Sequence, residues 1–243
     1  MTAWPQCIVT LDRAARDAGW SASARRSLWT AHDLMAELFA GRYRGSGRPF
    51  VNHLAGTAAL ALDSGAGDAG VIAGYAHAAY EQGEFGRPEG GASDANRAEM
   101  RRVLGPEAEA IVHRYAMLPW FSRLPEGPGA VLEAAGPVER SVLLLRACNA
   151  LDDALDYHVH AEDARQVFRD ELDASAAIAG ALGHAGLAAR IRGRIEEIAA
   201  EDPPLPETPR RKGSSTVRNR AWRRDPVLAA KRKARRALAR FRP

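Results

Sequence analysis

The sequence predicts an all-α protein. Apolar residues recur at three- and four-residue spacing through most of the first 200 positions, no alternating run is long enough for a strand, and Gly/Pro-rich stretches separate the periodic segments. With 243 residues and 46% hydrophobic content, the chain suits one well-cored body and an appendage.

From Cys7 to Ala18 the apolar positions Ile8, Leu11, Ala14, Ala15 and Ala18 share a helical face, and Gly19 ends it. Ser21 or Ser23 caps a longer helix through Phe39, with Leu28, Ala31, Leu34, Met35 and Leu38 on one stripe and His32 reading as a partly exposed structural histidine. Gly41 to Pro49 is a loop, since neither its glycines nor its proline suits a helix interior. Helical spacing resumes over Phe50 to Leu62. After the turn Ser64 to Asp68, a helix over Ala69 to Glu81 is apolar nearly all round, which places it at the centre of the fold. Gly74 is small enough there for close packing.

Gly83 to Gly91 is a surface loop whose Glu84 and Phe85 are placed to fold back over the candidate site at His53 and His77. Ser93 or Asp94 caps a helix to Leu104, and Gly105-Pro106 starts another through Met117 with Ala108, Ile111, Val112 and Tyr115 inward. Pro119 to Pro128 is irregular. Pro137 then opens a strongly apolar helix that turns polar at Asn149, Asp152, Asp153 and Asp156, read as a solvated helix end. Amphipathic helices over 161–182 and 185–200 complete a body of residues 1–200.

Residues 201–209 are Pro-rich and read as an extended linker. Residues 210–243 carry fourteen Lys/Arg against the single acid Asp225, so the tail is at +13 and residues 1–209 are at −9. The stretch to Arg224 reads as disordered, and 226–241 has the spacing of a basic amphipathic helix. Arg223, Arg224, Lys231, Arg232, Lys233, Arg235 and Arg236 are the tail residues suited to nucleic acid or an anionic membrane. Cys7 and Cys148 fit free buried thiols in a reducing compartment. No leader pattern and no apolar run of spanning length is present, so the expectation is a cytoplasmic protein without a transmembrane segment.

The residues that point to chemistry are His53, near the start of one helix, and His77, near the end of the next, with Glu81 one turn on. Two histidines from antiparallel neighbouring helices can converge on a divalent ion, which lowers the pKa of bound water. The pattern Arg-x-Ser-Gly-x-Pro-Phe-x-x-His at Arg44 to His53 is followed by Thr57, an alanine-leucine run, a Gly/Asp turn and His77 with Glu81. Together these resemble the HD-domain superfamily, most closely the hydrolase domain of the alarmone (guanosine tetra- and pentaphosphate) enzymes. Leu104 to Val112 looks like a later helix pair of that family, and the likeness covers residues 42–157. Asn52 to Thr57 with His77 and Tyr80 also resembles an uncharacterised bacterial subgroup of the superfamily.

The resemblance implies a divalent metal, usually manganese, held by a histidine, a His-Asp doublet and a distant aspartate. His53 and His77 match the histidines, while Ala78 stands at the doublet's aspartate. Matching Arg146 and Asn149 to the family's Asp-Arg-x-x-Asn motif puts Leu145 at the distant aspartate, and a shifted register would bring in Asp152 and Asp156 instead. Glu81 and Gln82 fall on the pair that positions water and leaving group. Arg44, Tyr80 and Asn149 fall on the ligand pocket. Three functions remain open on this reading: an HD-like relative with an incomplete metal site that binds a small phosphorylated ligand or a partner; an active metal-dependent phosphohydrolase with rearranged ligands; and binding of nucleic acid or anionic membrane by the tail.

Overall fold

A computed structural model describes residues 4–86, 90–119, 121, 127–159, 162–200 and 216–218. The protein is all-α. Its helices are α1 (Ile8–Asp17), α2 (Ala22–Leu38), α3 (Phe50–Asp63), α4 (Asp68–Ala76), α5 (Ala79–Gln82), α6 (Asp94–Leu104), α7 (Pro106–Met117), α8 (Gly127–Glu133), α9 (Pro137–Asp153), α10 (Glu162–Ala181) and α11 (Ala185–Ala200). A 3-10 turn, Ala154–Val159, extends α9.

Local chemistry sets the boundaries. The Ser21 and Ser93 hydroxyls accept the Ala24 and Asn96 N–H groups and so cap α2 and α6, and Pro106 opens α7 where its missing N–H costs nothing. Packing follows from composition. Phe50, His53 and the unbroken run Leu54–Ala61 of α3 are buried, and α3 packs against α1, α4 and α9. Along α4 every residue from Val71 to Ala76 is buried. At Gly74 an added Cβ would stand 3.2 Å from Leu145 Cδ2 and 3.3 Å from Ala58 Cα, so its absence lets α3, α4 and α9 close up.

Three expectations are corrected. The helix predicted through Glu81 is broken at His77–Ala78, because the His77 Nδ1–H donates to Gly74 O at 2.8 Å, a carbonyl that a continuing helix would give to the Ala78 N–H. Arg42–Arg44 forms a strand, β1, paired antiparallel with β2 (Thr216–Arg218), in the register Arg42 to Arg218 and Arg44 to Thr216. Three residues per strand are too few for alternation to be read in sequence. Cys7 is exposed; only Cys148 is the buried thiol expected of both.

The linker 201–209, the proposed helix 226–241 and the basic side chains Arg223, Arg224, Lys231, Arg232, Lys233, Arg235 and Arg236 lie outside the described residues. Among the described residues, no helix is long and apolar enough to cross a membrane.

Candidate functional site

The helical hairpin α3–α4 brings His53 and His77 together at the centre of the core, 1% and 2% exposed. Their Nε2 atoms are 3.2 Å apart and the rings cross at 80°. The Phe50 ring meets His53 edge-on at 5.4 Å, and the Tyr115 ring meets His77 at 5.1 Å. Each imidazole spends its other nitrogen on an oxygen. His53 Nδ1–H donates to Asp152 Oδ2 at 2.7 Å, and His77 Nδ1–H donates to the Gly74 carbonyl. Two Nε2 lone pairs are thereby turned toward one another, an arrangement that one shared proton or one cation relieves.

Asp152 of α9 makes the closest approach to the histidines, and Asp153 Oδ1 stands 3.5 Å from the same His53 Nδ1. The register matched on Arg146 and Asn149 is therefore not the one that supplies a carboxylate, and the position it assigned, Leu145, packs against α4 beside Gly74. Asp152, Asp153 and Asp156 are not a solvated helix end: they are 0%, 7% and 4% exposed. The reason is that α9 drives its polar end into the body, where two arginines of the loop before α3 meet it. Arg48 Nη2 donates to Asp152 Oδ2 at 2.8 Å and to Asp156 Oδ2 at 3.1 Å. Arg44 pairs with Asp153 through Nη2 and with Asp156 through Nε at 3.1 Å, its guanidinium lying over the Phe50 ring. Asn149 Nδ2 completes Asp153 at 3.0 Å.

Three carboxylates thus face two guanidiniums and leave one negative charge, which a single positive charge on the histidine pair would balance. Burial by itself would raise the Asp152 carboxyl, but the His53 hydrogen bond and the Arg48 guanidinium outweigh it and hold the group well below the usual carboxylate range. Burial and the neighbouring His53 push His77 down to about 3, so its ring is neutral at ordinary pH.

On the far side of His77, Arg146 lies with its guanidinium 3.9 Å over the Tyr115 ring and donates to the carbonyls of Tyr115 and Leu118 at 3.0 and 2.6 Å. Glu81 reaches solvent, yet crowding by protein raises its carboxyl while Arg146 pulls it back. Gln82 beside it is half-buried. Tyr80 points elsewhere: its hydroxyl donates to the buried Glu109 at 2.9 Å, and its ring stacks with the buried Phe85.

Sequence reasoning missed three contributors: Arg48, Trp4 and Gln6. The Trp4 indole N–H and the Gln6 amide donate to Asp152 Oδ1 at 2.9 and 3.1 Å. No motif marks them, although three aspartates within five residues of a helix could have signalled a need for cations such as the two loop arginines. His32 stays outside the site, its Nδ1 hydrogen-bonded with the Tyr75 hydroxyl at 2.8 Å. A separate cavity of about 250 Å³ opens at the start of α4, lined by Gly67, Asp68, Glu107, Ile111, Ser141 and Leu145.

A family model described as a domain of unknown function (DUF6817) matches residues 34–120, a span that holds Arg44, His53 and His77 and stops short of α9. No curated protein matches. Among solved structures, a metazoan ortholog of SpoT that hydrolyzes ppGpp and plays a role in starvation responses is similar with a TM-score of 0.47 and 17% identity, over 76% of this chain and 98% of that one.

Proposed function

We propose that this chain is an HD-like module, an atypical and non-catalytic relative of nucleotide phosphohydrolases, that binds a small phosphorylated ligand or a partner beside the histidine pair without hydrolysing the ligand. The HD-like assignment and the ligand class rest on the patterns at Arg44–His53 and His77–Glu81. The loss of catalysis rests on one observation: the three aspartates beside His53 are already consumed. Asp152 takes Trp4, Gln6, Arg48 and His53; Asp153 takes Arg44 and Asn149; Asp156 takes Arg44 and Arg48. A hard divalent ion needs anionic oxygen, and two neutral imidazoles hold it weakly. Among the described residues no three His, Cys, Asp or Glu side chains group as a metal site. This donor set does not fit the four-ligand manganese centre that the resemblance implies.

The test uses full-length protein purified without chelator. Metal content is measured by mass spectrometry, nucleotides including guanosine tetraphosphate are titrated calorimetrically, and phosphate release is followed with added Mn²⁺. The expected result is far less than one metal per chain, saturable nucleotide binding and no released phosphate. Stoichiometric manganese that disappears in His53→Ala and His77→Ala, together with phosphate release, would overturn the proposal.

A second reading, an active phosphohydrolase with rearranged ligands, is favoured by the facing Nε2 atoms. In it His53 and His77 hold the ion, and Asp152 is the outer partner that orients His53, a carboxylate-histidine-metal relay of the kind found in many metal centres.

A further inference from the structure

We infer that the N-terminal arm Trp4–Gln6 belongs to this site, with Trp4 and Gln6 acting as positioning residues that work through Asp152 to fix the ring orientation and the Nδ1–H form of His53. This rests on the histidine pair being the binding centre.

Asp152 gathers donors from three separate parts of the chain. Its Oδ1 takes the arm, through Trp4 Nε1 at 2.9 Å and Gln6 Nε2 at 3.1 Å. Its Oδ2 takes His53 Nδ1 at 2.7 Å and Arg48 Nη2 at 2.8 Å. With Oδ1 secured on one side, the plane of the carboxylate is set and Oδ2 is left aimed at the imidazole. An acceptor fixed in this way selects the tautomer with hydrogen on Nδ1, which turns the bare Nε2 toward His77.

The remaining polar atom of the arm serves the same end. Gln6 Oε1 accepts Arg48 Nη1 at 2.7 Å, so the arm also aims the arginine that shares Oδ2. The Trp4 ring is buried, with the Arg190 guanidinium 5.0 Å from its centre, which anchors the indole against α11. On α3, Gly56 leaves room for the group: a Cβ there would overlap Asp152 Oδ1 and stand 2.7 Å from Gln6 Nε2. An arm that only covered apolar surface would have no use for two side-chain N–H donors converging on one buried oxygen.

The experiment reads the ring. In full-length protein carrying ¹⁵N-histidine, the His53 signals are assigned with His53→Gln. The wild type is expected to show the Nδ1–H tautomer with a deshielded ring proton protected from exchange with water. Trp4→Phe keeps an aromatic ring beside Arg190 and removes only the indole donor; Gln6→Ala removes the other. Either variant is expected to speed exchange of that proton by roughly tenfold, the equivalent of one net hydrogen bond, and to move His53 toward a mixture of tautomers. Asp152→Asn is the limiting case, and the His32 signals stay in place. Unchanged His53 signals in both arm variants, with only a lower Tm, would reduce the arm to a structural clamp and overturn the inference. The measurement needs no ligand, so it decides the role of the arm even where nucleotide titration shows no binding.

Discussion

His53 and His77 bring their Nε2 atoms within 3.2 Å of each other, and both Nδ1–H donors are already committed, one to a carboxylate and one to a carbonyl. Neither ring can relieve the other without gaining a proton or sharing a cation. The His53–Asp152 bond ties that pair to Asp153, Asp156, Arg44 and Arg48, so the histidines and the ion network form one electrostatic unit.

Asp152→Ala should therefore be among the most damaging substitutions in the chain. It strands His53, Arg48, Trp4 and Gln6 donors in a fully buried position. Removing one partner of a buried pair costs about 3–5 kcal/mol, whereas Asp17→Ala, which breaks an exposed pair with Arg16, should cost under about 1 kcal/mol. Urea denaturation of the two variants checks the contrast.

Acid should weaken the metal-free protein through His77. Its folded pKa is about 3, against about 6.5 in the unfolded chain, so between those values the unfolded chain binds the extra proton. Stability is full above the unfolded value and declines as pH falls toward the folded one, by about 2 kcal/mol between pH 7 and pH 5. The depressed Asp152 carboxyl does not blur the measurement, because its contribution is lost only below the ordinary carboxylate range. His77→Gln should flatten the slope in urea titrations run with chelator present.

The two cysteines should separate cleanly. Burial pushes Cys148 up to about 12, with the Ser64 hydroxyl and Arg190 pulling it back only in part. Cys7 is exposed, and the Thr10 hydroxyl lowers its pKa. At pH 8 a disulfide reagent should titrate one thiol in the native protein and the second only in denaturant. Rapid reaction of both would mean that the α9 core opens readily.

The helices were legible because their signals are local. The apolar run of α4 read as central, and the serine caps of α2 and α6 read as starts, all from neighbouring residues. His53 and His77 were legible as a pair because a short turn joins their helices. Asp152 was not, because helical phase gives direction but not depth. Leu145 and Asp152 are seven residues apart and share a face, and only the packing of α9 on α3 decides which level meets His53. Trp4 and Gln6 are further from legibility still, since their role exists only through contacts 148 and 146 residues away in sequence.

Two glycines offer a test of that packing. Gly56 faces Asp152 so closely that a Cβ would overlap Oδ1 and lie 2.7 Å from Asp152 Cγ, and neither atom can retreat without breaking the bonds to Trp4 or Gln6. Gly56→Ala should therefore cost about 1–3 kcal/mol as an overpacked core position does, and should disturb the His53 ring signals as well. Gly193 lies within α11 with nothing within 4 Å of an added Cβ, so Gly193→Ala should stabilise the protein by up to about 1 kcal/mol through helix propensity alone. Thermal melts of the pair measure the sign. A neutral Gly56→Ala would mean that α3 and α9 are not pressed together at Asp152, and the contact that ties the arm to the histidines would go with it.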